Sequence, residues 1–412
     1  MKYIVVLGDG MADRKIAGLG NKTCLEAAAT PTIDKLAPVW EIGLCKTVPE
    51  GFKPGSDVAN MSVLGFAPQK YYTGRSPLEA VSMGIKLAPT DVTVRCNLVT
   101  LSDETDYAQK TMLDYSAGEI STGEAEQLIT AVQQELGSES FAFYCGISYR
   151  HCLVVKNGAV GHELTPPHDI SDKKITAHLP KGENAEIYLD FMRKSYDILS
   201  KHPVNLNRVR QGKKPANSIW LWGEGTKPAL ENFEKLRGKK GGVISAVDLV
   251  KGIGMLAGLK ILEVDKITGN YDTNFQGKAN AAADALLNGG LDFVYIHMEA
   301  PDECGHHGDY AHKVYSIEKI DGVIKTLIQR FESAGEQFAM LVCPDHPTPC
   351  AIKTHTSDAV PYLLYSSVKS LSSLQNETSG QRVRYTEYFA EQSGNYLPEG
   401  HKLIEKLFEI KL

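Results

Sequence analysis

Residues 338–346 read Phe-Ala-Met-Leu-Val-Cys-Pro-Asp-His, and His355 follows shortly after. The apolar run Phe338–Cys343 has the composition of a strand buried on both faces. Ending it in Pro344-Asp345-His346 puts a carboxylate and an imidazole at the strand's carboxyl tip. That edge is where open α/β sheets bind ligands. Asp with His, and a further His nearby, is donor chemistry for zinc or manganese. The expectation is a mostly parallel sheet whose strand tips converge on a cation centre.

Two other stretches offer matching pieces. Residues 3–7, Tyr-Ile-Val-Val-Leu, read as a central parallel strand closed by Gly8-Asp9-Gly10, so Asp9 stands at a second tip. The plainer reading of Asp9 is a cap on the following turn. Residues 291–297 form another strand, followed by Glu299-Ala-Pro-Asp302-Glu-Cys-Gly-His306-His307. Asp302 and His306 are four apart and share one face of a helical turn, whereas His307 points elsewhere. His297 and Glu299 are rival ligands, set back by strand alternation and closeness to the sheet.

A third feature is Pro54-Gly55-Ser56-Asp57-Val58, a Gly-Ser turn opening an apolar-periodic helix. Ser56 at a helix N-terminus meets free N–H groups and a dipole that favour an anion. As an isolated signal it reads as an ordinary N-cap; beside a metal cluster it reads as a serine that carries a phosphoryl group. Asp9, Asp302, His306, Asp345, His346 and His355 exceed the roughly four ligands one ion needs. Two divalent ions are therefore expected, able to depress the serine pKa and neutralise a transferring phosphoryl group.

The bulk numbers are ordinary for a soluble globular protein. The 412 residues exceed one ordinary core, so two domains are expected. A net charge of -6 argues against nucleic-acid binding by phosphate neutralisation, though not against a local anion pocket. Eight cysteines without a CxxC pair suit reduced thiols in the cytoplasm. The first apolar run is short and lacks a cleavage site, so it reads as a strand rather than a signal peptide. No stretch is long enough to span a bilayer, and no membrane partner is expected.

From about residue 90 the texture changes. Short strands are expected at 91–101, 141–147 and 151–156, with a helix at 121–136 opened by a Ser121/Glu124 capping box. A polar surface loop at 166–184 and a helix at 185–200 follow. The basic segment 207–215, with Arg208 and Arg210, reads as a solvated loop or an anion clamp. Strands at 218–223, 242–246 and 361–365 and helices near Lys251 and at 277–288 restore strand–helix alternation. The expected organisation is a discontinuous domain, 1–77 with 216–412, and an inserted α+β domain, 78–215.

These residues carry a resemblance over nearly the whole chain. Gly8-Asp9-Gly10-Met11-Ala-Asp-Arg14, Gly55-Ser56-Asp-Val-Ala-Asn-Met-Ser-Val-Leu-Gly65, Asp302-x-x-x-His306 and Asp345-His346 with His355 resemble the cofactor-independent phosphoglycerate mutases. The likeness is to their shorter archaeal-type branch, in the alkaline phosphatase superfamily. It implies an alkaline-phosphatase-like sheet with helices on both faces and a cytoplasmic enzyme interconverting 3- and 2-phosphoglycerate, without bisphosphoglycerate. Ser56 would be the nucleophile. One manganese-type ion (zinc, magnesium or cobalt being other options) would sit on Asp302, His306 and His355. The second would sit on Asp9, Ser56, Asp345 and His346. Lys251 would approach the phosphoryl group; Arg95, Arg150, His151, Arg208 and Arg210 are looser candidates for the substrate's anionic groups. The partner is a small phosphorylated substrate, and the oligomeric state is left open.

One motif departs from the family. The archaeal-type pattern Asp-Arg-x-Ala-Gly-Arg reads here Asp114-Tyr115-Ser116-Ala117-Gly118-Glu119. Both arginines are gone and an acid replaces one of them, which suits an amino group better than a carboxylate. The resemblance therefore implies an alternative, a homoserine-kinase-like phosphotransferase using the same serine. A metal-dependent phosphomonoesterase and a non-catalytic, metal-braced protein are the remaining readings.

Overall fold

The computed structural model describes residues 1–37, 41–368 and 383–410. The chain divides into two compact units, Met1–Tyr72 with Leu230–Leu412, and Thr73–Ala229.

The first unit is built on an eight-stranded sheet. Its centre is parallel: Lys2–Gly8 lies between Phe338–Cys343 and Phe293–Met298, which is followed by Gly241–Ile244 and Lys260–Ile261. Val360–Ser366 joins the other side antiparallel, followed by Glu41–Cys45 and Tyr396–Leu397. The central strands are buried throughout, which explains their unbroken Val, Ile and Leu content. Register puts Leu7 beside both His297 and Cys343, so three chain segments leave the sheet at one level.

Side chains alternate between two covered faces. Ile4, Val6, Val294, Ile296, Met340 and Val342 pack into one cluster with the helices Phe275–Leu287 and Tyr310–Ala334. On the other face the Phe408 ring, from the helix Leu403–Glu409, meets Tyr3 at 5.0 Å and Phe293 at 5.5 Å. The 25-residue helix Tyr310–Ala334 was not anticipated from the sequence. Its signal is the 3–4 spacing of Ile317, Ile320, Ile324, Leu327 and Phe331, closed by Gly335 in the left-handed region.

The second unit has a five-stranded antiparallel sheet. Val92–Leu101 runs between Arg150–Val155 and Ser218–Thr226, with Phe141–Tyr144 and Met112–Asp114 outside. The helices Thr122–Leu136 and Glu186–Leu199 complete its core. Ser121 caps the first of them, accepting the Glu124 N–H.

Two expectations need correction. Residues 216–229 belong to the second unit, because Ser218–Thr226 pairs with Val92–Leu101 along most of its length. Residues 73–77 belong there too, so the expected 78–215 insertion is Thr73–Ala229. Strand composition identified Ser218–Thr226 as buried, but composition is blind to the sheet a strand joins. The basic segment is also not simply a loop: Pro203–Arg210 is helical, started by Pro at its first turn.

Candidate active site

Asp345 sits just beyond the Phe338–Cys343 strand and is fully buried. It is gripped from several sides. Its Oδ1 accepts the N–H groups of Gly10 at 3.1 Å and His346 at 2.8 Å. Its Oδ2 accepts Asn60 Nδ2 at 2.8 Å, and the Tyr295 hydroxyl donates in turn to Asn60 Oδ1 at 2.7 Å. Gly10 also lets Asp302 come close: at φ +61° it takes a left-handed turn, and a Cβ there would meet the Asp302 backbone at 2.7 Å.

Ser56 is the first residue of the helix Ser56–Val63, with Gly55 at the N-cap. Its Oγ lies 3.2 Å from His346 Nε2. The same nitrogen is 3.3 Å from Asp345 Oδ2 and 3.7 Å from Asp9 Oδ1. Asp9, Asp345 and His346 thus bring one donor atom each within 4.8 Å of one another.

Asp302 and His306 lie on the helix Ala300–His307, with His306 Nε2 at 3.2 Å from Asp302 Oδ2. His355 Nε2 is 3.4 Å from Asp302 Oδ1 and 2.8 Å from His306 Nε2. Asp302, His346 and His355 also form a donor group, and the His346 and His355 rings lie 4.1 Å apart. The two sets therefore adjoin through His346.

Charge is concentrated here. Burial, and then Asp345, Glu299 and Asp302, push the Asp9 carboxyl well above its usual range. Burial and neighbouring acids raise Glu299 to about 8. Burial opposes ionisation of Asp302 as well, but hydrogen bonds from His306 and His355 and nearby imidazoles hold it well below the usual range. The Asp302 hydrogen bond raises His306 to about 9 against the pull of burial. Asp9 Oδ1 is buried without a hydrogen-bond partner. Clustered carboxylates, imidazoles facing them and an unpartnered oxygen fit divalent cations.

All seven sequence-derived residues of the core, Asp9, Ser56, Asp302, His306, Asp345, His346 and His355, thus lie in one cluster. His297 and Glu299, set aside from the sequence, belong beside them: His297 Nε2 is 2.7 Å from Asp9 Oδ2 and 3.5 Å from Glu299 Oε2. Asn60 was missed, although it stands one helical turn after Ser56. Thr348, whose hydroxyl bonds Asp302 Oδ1 and lies 3.3 Å from His346 Nδ1, carried no sequence signal. A further group, Asp13 with Cys24 and Cys350, already holds a cation, since buried Lys313 lies 2.8 Å from Asp13.

Lys251 lies on the helix Asp248–Leu256, which packs against the Ser56 helix, without a direct bond to the cluster. The other anion-binding candidates lie in the second unit. Arg95 is buried, pairs with Glu79 at 2.9 Å and lies over Trp222 at 4.0 Å. Arg208 is committed to Glu124 and to the carbonyls of Lys214 and Ala117, a strut rather than a free clamp. Arg150 and Arg210 are exposed. His151 is buried with Nε2 unpartnered.

The family model described as 2,3-bisphosphoglycerate-independent phosphoglycerate mutase matches residues 40–205. A protein of that name from Methanosarcina mazei is 50% identical over 371 residues, covering 90% of this chain and 91% of its own. A probable one from Geobacter sulfurreducens is 48% identical over 410 residues, covering 99% and 100%. Among solved structures, the PH0037 protein from Pyrococcus horikoshii superposes with TM-score 0.79 at 26% identity, covering 99% of this chain and 96% of that one. The cofactor-independent phosphoglycerate mutase from Thermoplasma acidophilum gives TM-score 0.63 at 25% identity, with 99% of each chain covered. The chain belongs to the 2,3-bisphosphoglycerate-independent phosphoglycerate mutase family. Its mostly parallel sheet, with helices packed on both faces, is the architecture expected from the sequence.

Proposed function

We propose that the protein interconverts 3- and 2-phosphoglycerate through a phosphoserine at Ser56. The observation that carries this reading is the Ser56 hydroxyl at a helix N-terminus, 3.2 Å from an imidazole of a buried Asp/His cluster. Asp302, His306 and His355 would hold one divalent ion, manganese by preference, and Asp9, Ser56, Asp345 and His346 a second. When bound, such ions lower the pKa of a coordinated hydroxyl and offset phosphoryl charge.

The chain's own groups then do the following. Ser56 Oγ loses its proton and bonds to phosphorus. The bond from phosphorus to the substrate's 3-oxygen breaks, and that oxygen takes a proton to give glycerate. Glycerate turns, its 2-hydroxyl loses a proton and bonds to phosphorus, and the Ser56 ester bond breaks with Oγ reprotonated. The sum is an isomerisation in two transfers. Free N–H groups at the start of the Ser56 helix favour the anionic phosphoryl group. The first unit is assigned the chemistry; Arg95, Arg150 and His151 remain proposed for the substrate's anionic groups. No helix of the described residues is long and apolar enough to cross a membrane.

The test gives manganese-loaded protein 3-phosphoglycerate alone. The expected products are 2-phosphoglycerate and a phosphorylated Ser56 peptide by mass spectrometry. A second reading rests on the loop 114–119, where exposed Glu119 stands in place of a family arginine. It has the same serine pass a nucleotide phosphoryl group to homoserine. O-phosphohomoserine formed from ATP and homoserine, with 3-phosphoglycerate unchanged, would favour it over the mutase.

A further inference from the structure

His297 is wholly buried, and both ring nitrogens are engaged. Nδ1 lies 3.1 Å from Ser245 Oγ, and Nε2 lies 2.7 Å from Asp9 Oδ2. The Val247 N–H donates to Ser245 Oγ at 2.9 Å, and the Ser245 hydroxyl has two acceptors in reach, His297 Nδ1 at 3.1 Å and the Val247 carbonyl at 3.4 Å. With an Asp9 carboxylate oxygen as acceptor at 2.7 Å, the ring proton is assigned to Nε2, and Nδ1 accepts from Ser245. Lys278, also fully buried, donates to the His297 carbonyl at 2.9 Å and pins the backbone at the strand tip. Asp9 Oδ2 is thereby occupied, while Oδ1 is left without a partner 3.7 Å from His346 Nε2.

We infer that His297, oriented by Ser245, positions Asp9, holding one carboxylate oxygen so that the other is presented to a cation on the Asp345–His346 side. This rests on the metal-centre reading above. The rival is a third cation between Asp9, His297 and Glu299, whose donor atoms also lie within 4.8 Å. Charge disfavours it. Asp9, Asp302 and Asp345 carry three negative charges and Ser56, on losing its proton, a fourth. Two divalent ions offset these, and the buried Lys278 ammonium, bonded to the His297 carbonyl, already adds positive charge beside the Asp9, His297 and Glu299 group. A buried third dication would be left uncompensated. Hydrogen-bond partners that orient a metal ligand typically change affinity by 10–100-fold when removed.

The experiment measures Mn²⁺ affinity and stoichiometry of purified full-length protein by calorimetry, with folding followed by circular dichroism. His297→Ala is expected to weaken the tighter or weaker of two sites by about 10–100-fold. His297→Gln, whose side-chain Nε2–H can reach Asp9, is expected to recover most of that loss. Ser245→Ala is expected to weaken the same site by a smaller factor. Wild-type affinity in folded His297→Ala, or no recovery by Gln, would overturn the inference. So would three ions in the wild type with one lost in His297→Ala. If His297→Ala does not fold, Ser245→Ala decides by the same criterion. A wild type that binds no divalent ion overturns the metal centre itself; two ions bound alike by wild type and variants overturn the positioning role alone.

Discussion

The two halves of the candidate centre are made of the same residue types and held in opposite ways. Asp9, Asp345 and His346 have side chains with no exposure at all, and the chain grips them through backbone N–H groups, Asn60 and His297. Asp302, His306 and His355 pair with one another, backed by Thr348 and the carbonyls of Lys353 and Pro54, with the His306 side chain 35% and the His355 side chain 19% exposed. A donor atom fixed by the scaffold is preorganised for what it binds; donors that pair with each other must first be separated. Ser56 stands with the rigid half.

The sharpest break in this comparison is Ser56→Ala. It should reduce phosphoryl transfer by at least about 1,000-fold, as removal of a nucleophile does. Mn²⁺ binding at Asp302, His306 and His355 should persist, so calorimetry beside the assay separates the halves. Next in size is Asp345→Asn. The amide would turn one donor toward Gly10 and His346 N–H or toward Asn60 Nδ2, leaving buried donors unpaired at about 2–3 kcal/mol. Urea unfolding in chelator should show that loss, against a much smaller one for His355→Ala. Equal losses would erase the distinction.

The exposed half should also respond to pH. The folded protein holds His306 at about 9, above its usual 6.5. A raised histidine contributes stability that is complete below about 6.5 and lost as pH rises through about 9. The melting temperature of chelator-treated protein should therefore fall across that window, and His306→Asn should flatten the curve. Metal binding runs the other way: a cation must displace the His306 proton, so affinity at this site should tighten as pH approaches 9. The smallest expected effect is Thr348→Val, which removes the hydroxyl touching both halves and should cost about 1 kcal/mol in unfolding experiments.

Much of this was legible in the sequence. Phe338–Cys343 and the run around Val5 announced themselves as buried parallel strands because every position meets a covered face. Asp302 and His306 were paired by helical spacing alone. His297 and Glu299 were set aside because alternation was applied to a strand assumed to end at His297. The strand in fact continues to Met298 beside Gly8, which carries His297 level with the start of the Asp9 turn. Arg208 looked like an anion clamp because a cationic stretch does not disclose that internal carbonyls and Glu124 already use its donors.

The sequence by itself determined the central strands, the helix that begins at Ser56 and the seven residues that cluster there, since these follow from short-range periodicity and from the chemistry of Asp, His and Ser. Only the tertiary structure decided which sheet Ser218–Thr226 joins, which oxygen of Asp9 is free, and that Asn60, Thr348 and His297 stand behind the donors. Those depend on register between strands hundreds of residues apart and on ångström-scale hydrogen-bond geometry, and neither leaves a local pattern to read.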